Sequence, residues 1–259
     1  MWFRVSEKKI KDSCAMSSDL SSSDQAKFVA AKRACEFVKD GMKLGLGTGS
    51  TASWMVRCLA ERVDKEGLRV KGVPTSIQTS NLAEELGIEI ITLGAAGQLD
   101  LTIDGTDEFD QDLNLIKGGG GALLREKIVA SASDKMIVIA DDDKNVERLG
   151  RFPLPVEVLG FGLKSSQSLI QTLLESQDVG SNIIKTRMVG EVPFVTDEGN
   201  YILDLYLDQI GDADMLNLAL NQVPGVVENG LFVGHCDMVI VGSSDGTVKE
   251  KVKGPISKL

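Results

Sequence analysis

The segment from residue 104 to residue 127 combines acids, lysines and glycines more densely than packing alone requires. In order, it contains Asp104-Gly105-Thr106-Asp107-Glu108, then Lys117 and four glycines, then Arg125-Glu126-Lys127. A carboxylate can remove and return protons, an ammonium group can stabilise a developing oxyanion, and glycines let a ligand approach main-chain N–H groups. These residue types predict an active site in this segment.

A second run, residues 45–51, has the sequence Gly-Leu-Gly-Thr-Gly-Ser-Thr and is expected to bind an anion. It follows a short apolar strand and precedes a helix with apolar residues every three or four positions, for which Ser50 or Thr51 is the predicted N-cap. The N–H groups of such a turn and the helix dipole attract a phosphate. The run has neither the lysine of a Walker loop nor the third glycine of a dinucleotide loop. It predicts a site for one small phosphate monoester, with an ordinary strand-to-helix turn as the alternative.

The elements around these runs predict an α/β fold. Leu101-Thr102-Ile103 is an apolar, β-branched run, so Asp104 is expected at the carboxyl end of a buried strand, where ligands bind in open α/β sheets. Alternating strands and helices predict a Rossmann-like three-layer domain with a mostly parallel sheet. After Pro155 the order of elements is typical of a smaller α+β unit of ferredoxin-like type.

The predicted domain boundaries follow from these patterns. Residues 1–23 are expected to be a disordered extension, since they mix charges with serines and lack the apolar core of a signal peptide. Residues 24–151 and 228–259 are assigned to the Rossmann-like catalytic domain, and residues 152–227 to the small domain. The predicted helices cover 24–39, 77–86, 165–176 and 212–221. The predicted strands cover 70–74, 89–92, 101–104, 136–140, 183–189, 194–196, 201–206 and 238–242.

Composition excludes several classes of function. The net charge of −10 argues against broad binding of nucleic acid or anionic membrane, and no apolar run approaches the roughly 20 residues of a membrane helix. Four cysteines without a C-x-x-C pair and a single histidine, His235, predict neither a zinc site nor a disulfide framework. We expect a cytoplasmic protein with reduced thiols.

The two runs, in this order and at this spacing, resemble ribose-5-phosphate isomerase of type A. The resemblance continues through Ile139-Ala140-Asp141 with Lys144 and through the segments 152–158, 196–200, 223–227 and 230–232, and it covers about residue 24 to the C-terminus. Thr106 stands where alanine is common in that family. The resemblance implies a metal-free aldose–ketose isomerase of the pentose phosphate pathway. It would interconvert ribose 5-phosphate and ribulose 5-phosphate and would form a homodimer or homotetramer.

The resemblance also assigns roles to residues. Glu126 would move the proton between neighbouring carbons, Lys117 would stabilise the enediolate with the N–H groups of Gly118 to Gly120, and Asp104 and Asp107 would contact the sugar, with Asp107 opening its ring. Asp104, Asp107 and Glu108 are also expected to raise the pKa of Glu126 as like charges. The remaining predicted substrate-binding residues are Lys27, Thr48, Gly49, Ser50, Thr51, Gly105, Thr106, Gly119 and Lys144.

Each of these residues also has a structural interpretation. A lone lysine is usually solvated, an Asp-Gly pair after a strand can cap a turn, and a helical glutamate can be an exposed partner of its neighbours. Two further classes of function stay open on the same type of fold. One is a sugar-phosphate-binding regulatory module, and the other is a relative of coenzyme A transferases with a glutamate nucleophile. A nicotinamide-dependent oxidoreductase is a third alternative.

Overall fold

The computed structural model describes residues 20–253, so residues 1–19 of the predicted extension lie outside the described residues. Two compact units divide the chain. The first takes in the N-terminal part up to Gly105, residues 129–142 and the chain from Asp237 onward, and the second takes in residues 106–128 and 143–236. Among the helices of residues 20–253, none is long and apolar enough to cross a membrane.

The helices are α1 (Ser22–Cys35), α2 (Ser50–Glu66), α3 (Ile77–Glu85), α4 (Leu93–Ala96), α5 (Leu123–Ser131), α6 (Leu163–Leu174) and α7 (Ala213–Leu220), and a 3-10 turn covers Asp142–Lys144. The strands are β1 (Lys43–Leu46), β2 (Lys71–Pro74), β3 (Glu89–Ile90), β4 (Leu101–Gly105), β5 (Glu108–Phe109), β6 (Leu115–Ile116), β7 (Met136–Asp141), β8 (Leu154–Val158), β9 (Ile183–Thr186), β10 (Met188–Val189), β11 (Val192–Pro193), β12 (Tyr201–Tyr206), β13 (Val226–Asn229), β14 (Leu231–Phe232), β15 (Met238–Gly242) and β16 (Val248–Val252).

A mostly parallel sheet organises the first unit. Its strand order is β16-β15-β7-β4-β1-β2-β3, and every neighbouring pair is parallel except β15 with β16. The strand order reverses direction between β1 and β4, which makes this pair the topological switch point of the sheet. The predicted Rossmann-like α/β fold is therefore confirmed. The predicted phosphate loop and Asp104 lie at the carboxyl ends of β1 and β4, the two strands at the switch point.

The core of the first unit explains why its strands read as continuous apolar runs. All five residues of β4 are buried, as are the first five of β7, because strands of a parallel sheet are covered on both faces. Helix α1 approaches β15 so closely that a Cβ added at Gly242 would lie 2.1 Å from the main-chain oxygen of Ala26. Alanines at the buried positions of α1 permit this approach.

The second unit contains a four-stranded antiparallel sheet with the order β13-β8-β12-β9. Along the chain its elements follow the order β8-α6-β9-β12-α7-β13, so the strands lie in the spatial order 4-1-3-2 of a split βαβ arrangement. A three-stranded sheet, β14-β6-β5, and the hairpin of β10 and β11 belong to the same unit. The predicted smaller α+β domain is confirmed by this arrangement.

The two units divide the chain at other places than the predicted domains. Segments 106–128, 143–151 and 228–236 group with the second unit, whereas the sequence pattern assigned them to the first. The reason is the sheet of β5, β6 and β14, in which residues 115–116 pair with 108–109 on one side and with 231–232 on the other. The chain returns to the first unit at Asp237 rather than at residue 228.

Three predicted elements were wrong in their limits. The first helix covers Ser22–Cys35 rather than 24–39, because the hydroxyl of Ser21 caps it by accepting a hydrogen bond from the main-chain N–H of Asp24 at 3.1 Å. The predicted strands 183–189 and 194–196 are replaced by β9, β10 and β11. A turn at Gly190, with φ of 61°, places the hairpin earlier than the apolar pattern indicated.

Glu157 lies buried on β8, and its carboxylate predicts a pH-dependent stability. Its Oε1 accepts hydrogen bonds from Thr196 Oγ1 and Asn200 Nδ2, both at 2.9 Å. Burial nevertheless raises the pKa of Glu157 above its ordinary value, because the charged form is desolvated. The folded state therefore holds this proton more tightly than the unfolded chain. The stability that the proton supplies is complete below the unfolded pKa of about 4.3 and is lost as the pH rises through the folded pKa.

We expect Glu157→Gln to become progressively more stable relative to the wild type as the pH rises from 4 towards 8. Glutamine keeps the Oε1 acceptor but carries no charge to desolvate. Urea unfolding of both proteins across this pH range measures the difference in unfolding free energy, and Glu191→Gln on the exposed hairpin turn gives the baseline for removing a carboxylate. A difference that stays flat across the range would contradict this assignment.

Candidate active site

The loop after β1 is held by main-chain and hydroxyl contacts within the first unit. The N–H of Gly47 donates to the oxygen of Ile103 at 3.0 Å, and the N–H of Thr48 donates to Asp104 Oδ1 at 3.1 Å. The hydroxyl of Thr48 lies 2.7 Å from that of Thr75 and 3.3 Å from that of Thr79. These contacts fix the conformation of the loop.

The turn into α2 has the geometry of an anion site. Gly49 occupies the N-cap position with φ of 103°, and no side chain caps the helix, so the predicted N-cap at Ser50 or Thr51 was wrong. The reason is that α2 already begins at Ser50, and its first intrahelical bond is donated by the N–H of Ser53 to the oxygen of Gly49 at 2.9 Å. The N–H groups of the first helical turn remain without intrahelical acceptors, at the positive end of a 17-residue helix.

Asp104 is completely buried beside this loop. Its Oδ1 accepts hydrogen bonds from the N–H of Thr48 and from the N–H of Gly105, the latter at 2.7 Å. A Cβ added at Gly47 would lie 2.1 Å from that same oxygen. The carboxylate thus lies directly against the loop, and glycine at position 47 makes its approach sterically feasible.

In the second unit, Lys117 and Glu126 form a buried ion pair. Their side chains are 2% and 5% exposed, and Lys117 Nζ lies 3.4 Å from Glu126 Oε1. Glu126 lies in the first turn of α5, and Lys117 directly follows β6. The Lys117 ammonium also lies 5.5 Å from the ring centroid of Phe232. A carboxylate and an ammonium excluded from water at this distance are suited to proton transfer beside a developing negative charge.

Asp107 is bound to the glycine run of the second unit. Its Oδ2 accepts a hydrogen bond from the N–H of Gly119 at 2.7 Å, and its own N–H donates to the oxygen of Ile116 at 2.9 Å. Gly118, with φ of 100°, begins the turn that makes this contact. Of the predicted oxyanion donors at positions 118–120, the N–H of Gly119 is therefore engaged by Asp107.

Two neighbours of this acid have structural contacts. Glu108 is buried, and its carboxylate accepts hydrogen bonds from the N–H of Gly150 at 2.8 Å and of Phe152 at 2.6 Å. Burial raises the pKa of Glu108, although these two bonds oppose the shift. The hydroxyl of Thr106 donates to the main-chain oxygens of Glu108 and Ile116. Both residues stabilise the turn that presents Asp107.

The two predicted substrate-binding lysines outside the glycine runs, Lys27 and Lys144, lie in different units. Lys27 is half-buried on α1 of the first unit, and Lys144 is half-buried in the 3-10 turn, at the start of a segment of the second unit. The Nδ1 atom of His235 lies 2.9 Å from the main-chain oxygen of Val233, and its neighbour Cys236 is a buried thiol.

Sequence reasoning missed several residues that support the site. Thr75 and Thr79 follow β2 and anchor Thr48, a contact that the hydroxyl-rich stretch after Pro74 could have suggested. Lys127 is buried next to Glu126, donates to Glu228 Oε1 at 2.8 Å and to the oxygen of Asn229 at 2.7 Å, and has its pKa lowered by burial. No local pattern reveals this contact, because its partners lie about one hundred residues further along the chain.

Comparison with known proteins identifies the family. A family model described as ribose 5-phosphate isomerase A (phosphoriboisomerase A) matches residues 71–246. The chain is 63% identical over 234 residues to a protein of Ruegeria pomeroyi named ribose-5-phosphate isomerase A, covering 90% of this chain and 89% of that one. The chain belongs to the ribose 5-phosphate isomerase A family. A relative of the same name from Jannaschia is 57% identical over the same shares of both chains.

Solved structures of ribose 5-phosphate isomerases agree with this assignment. The enzyme from Methanocaldococcus jannaschii superposes with a TM-score of 0.80 at 40% identity and covers 88% of this chain and 98% of its own. The enzyme from Plasmodium falciparum gives a TM-score of 0.83 at 37% identity, covering 89% and 99%. A third structure, at 38% identity and a TM-score of 0.82, is a ribose-5-phosphate isomerase in complex with phospho-erythronic acid. The predicted family is confirmed.

The contact between Gly47 and Asp104 gives a prediction for this family member. We expect Gly47→Ala to weaken the binding of inorganic phosphate by about tenfold or more, because the added Cβ must displace either the carboxylate or the loop that carries the N–H donors. Titration calorimetry with phosphate measures the change. Gly94→Ala is the matched control, since a Cβ at Gly94 meets nothing within 4 Å. Equal affinity in Gly47→Ala and the wild type would exclude this loop as the phosphate site.

Proposed function

We propose that this chain interconverts D-ribose 5-phosphate and D-ribulose 5-phosphate through an enediolate, with Glu126 as the group that removes and returns the proton. The name shared by its relatives at 57–63% identity supports the reaction. The observation that carries the mechanism is the buried pair of Glu126 and Lys117, with 3.4 Å between carboxylate oxygen and ammonium nitrogen. The pair combines a base with a cation.

The chemistry needs both members of this pair. In the forward direction the carboxylate of Glu126 takes the proton from C2 of the open-chain aldose, and the electrons move onto the C1 carbonyl oxygen. The ammonium group of Lys117 stabilises the negative charge that forms there. Glu126 then delivers the proton to C1, while the proton of the C2 hydroxyl passes to the oxygen on C1, so that C2 becomes the ketone and C1 carries the hydroxyl. Because both side chains are at most 5% exposed, the attraction between charges is weakly screened by water.

The phosphate group of the substrate is assigned to the loop of residues 47–51 and the N-terminus of α2. The support is the cap position at Gly49, without a side-chain cap, and the helix dipole behind it. The hydroxyls of Ser50 and Thr51 are further donors, and Lys27 supplies a nearby positive charge in the proposal. A net charge of −10 makes such a local site necessary for binding an anion.

The two aspartates are assigned to the sugar hydroxyls. Asp107 is proposed to open the furanose ring by taking the proton of the C1 hydroxyl and giving it to the ring oxygen, while the bond between C1 and the ring oxygen breaks. The N–H of Gly119 fixes the orientation of the Asp107 carboxylate. Asp104, Gly105, Thr106 and Lys144 complete the proposed set of substrate contacts. Asp104 keeps the loop of the first unit in place at the same time, through the N–H of Thr48.

Three wider properties belong to the same proposal. Lys117 performs the charge stabilisation that a metal ion supplies in other isomerases, so the reaction is proposed to be metal-independent. The second unit presents exposed apolar side chains, among them Phe161 at 96% and Leu218 at 62% exposure, which supports assembly as a homodimer or homotetramer. The buried thiols Cys35, Cys58 and Cys236 support a cytoplasmic location, and the name shared by the relatives supports a role in the pentose phosphate pathway.

The decisive variant is Glu126→Gln. It keeps the size of the side chain but cannot accept the proton, so we expect kcat for ribose 5-phosphate isomerisation to fall by about 10³-fold or more, with EDTA present throughout. Deuterium from the solvent should appear on the product carbon in the wild type, as expected for a proton that passes through a carboxylate. Glu84→Gln, on the exposed face of α3, is the control.

Each other result points to another assignment. A wild type that binds ribose 5-phosphate without converting it would favour the regulatory module. A glutamyl thioester trapped by hydroxylamine would favour a coenzyme A transferase. Full activity in Glu126→Gln would show that another group is the base.

A further inference from the structure

We propose that Arg187 is a positioning residue for this reaction, because its guanidinium group holds two successive peptide groups of the glycine run and, through one of them, Asp107. The inference rests on the proposed function, since it concerns the same proton transfers. Arg187 lies between β9 and β10 and belongs to none of the motifs that the sequence singled out.

The guanidinium group of Arg187 uses its three nitrogens in two directions. Nε and Nη2 donate to the two carboxylate oxygens of Asp204, at 2.9 and 2.5 Å. Nη1 donates to the main-chain oxygens of Gly118 at 2.8 Å and Gly119 at 3.1 Å. The side chains of Arg187 and Asp204 are 15% and 14% exposed, so Asp204 fixes the fork and directs Nη1 to the glycines.

The first of these two peptide groups links Arg187 to Asp107. The oxygen of Gly118 and the N–H of Gly119 belong to one planar trans peptide, so they point in opposite directions. The oxygen accepts from Arg187, and the N–H donates to Asp107 Oδ2 at 2.7 Å. A cation at one end and a carboxylate at the other polarise this peptide in the same sense, which strengthens both hydrogen bonds.

The second peptide group directs a further donor. The oxygen of Gly119 lies 3.1 Å from Nη1, and the N–H of the same peptide belongs to Gly120. Planarity therefore turns the N–H of Gly120 away from Arg187, in the manner already described for the N–H of Gly119. Within the proposed function this N–H is one of the donors for the enediolate oxygen, so Arg187 acts on that oxygen only through the main chain.

The surroundings of Arg187 hold it in this orientation. Its own N–H donates to the oxygen of Ile202 at 2.8 Å, and its oxygen accepts from the N–H of Phe194 at 2.9 Å. The ring of Phe194 lies 6.0 Å from the guanidinium carbon and covers Gly121, where an added Cβ would lie 2.4 Å from the ring. Lysine could not reproduce these contacts, because it lacks a planar fork that binds a carboxylate and a carbonyl together.

The test combines Arg187→Ala with free guanidinium ion. We expect kcat for ribose 5-phosphate isomerisation to fall by about 100-fold with a smaller change in KM, as for a reacting group displaced by about 1 Å. Guanidinium chloride at low millimolar concentration should restore much of this loss in a saturable way, whereas sodium chloride should not. A role confined to folding would not produce such rescue.

Arg62→Ala is the matched control. Nη1 of Arg62 also donates to two main-chain oxygens, those of Cys35 and Val38, and its Nε donates to Glu66 at 3.0 Å, but all of these residues lie in the first unit on α1, α2 and the turn after α1. We expect this variant to lose stability while it keeps the kcat of the wild type, without any response to guanidinium. If Arg187→Ala fails to fold, Arg187→Lys replaces it. We expect the kcat of Arg187→Lys to be at least about tenfold below that of the wild type, with an unchanged melting temperature.

The outcomes separate this inference from the proposed function. If the wild type is active and the kcat of Arg187→Ala or Arg187→Lys lies within threefold of the wild-type kcat, only the positioning role is overturned. Activity lost only in proportion to folded protein, with no guanidinium response, overturns it as well. An inactive wild type overturns the proposed function and this inference together.

Discussion

The buried ion pair of Lys117 and Glu126 is the constraint on which the second unit depends. A single charge moved into the interior costs several kcal/mol, and removing one partner of a buried pair leaves that cost uncompensated. Rigid surroundings must therefore hold Lys117 Nζ at 3.4 Å from Glu126 Oε1. The N–H of Lys117 donates to the oxygen of Gly230 at 2.9 Å, and the N–H of Glu126 donates to the oxygen of Ala122, the residue before α5, also at 2.9 Å.

A second buried lysine, Lys127, also needs a carboxylate partner. Lys127 and Lys117 have their ammonium groups 5.0 and 5.5 Å from the ring centroid of Phe232, so two positive charges share one aromatic ring. Their repulsion is offset because each has its own carboxylate, Glu126 for Lys117 and Glu228 for Lys127. Charges of alternating sign around one ring explain why the segment 228–232 belongs to the same compact unit as residues 117–127, although it is remote in sequence.

The parts of this structure that sequence could predict are those set by neighbouring residues. The parallel strands were readable because burial on both faces requires continuous apolar runs, as in β4 and β7. Hydrogen bonds between residues far apart in the chain could not be predicted from the sequence. Glu108 was expected to act as a like charge beside the base, but its partners are the N–H groups of Gly150 and Phe152, 42 and 44 residues away. Ser50 and Thr51 suit a cap by type, yet the backbone of Gly49 takes that position.

The glycines of the first unit's loop show how three identical residues meet different physical demands. Gly45 and Gly47 lie two positions apart, and added Cβ atoms would lie 2.0 Å from Thr102 Oγ1 and 2.1 Å from Asp104 Oδ1, which are also two positions apart on β4. Residues two positions apart in a strand lie on the same face of the sheet. Gly45 in β1 and Gly47 just after it therefore leave space for the side chains of Thr102 and Asp104 on the neighbouring strand. Gly49 has nothing within 4 Å of such a Cβ and is required by its φ of 103° instead. The glycines of this loop therefore accommodate the buried carboxylate of Asp104 as much as they would accommodate a ligand. A larger residue at position 47 would require a change at position 104, whereas position 49 depends on the backbone alone.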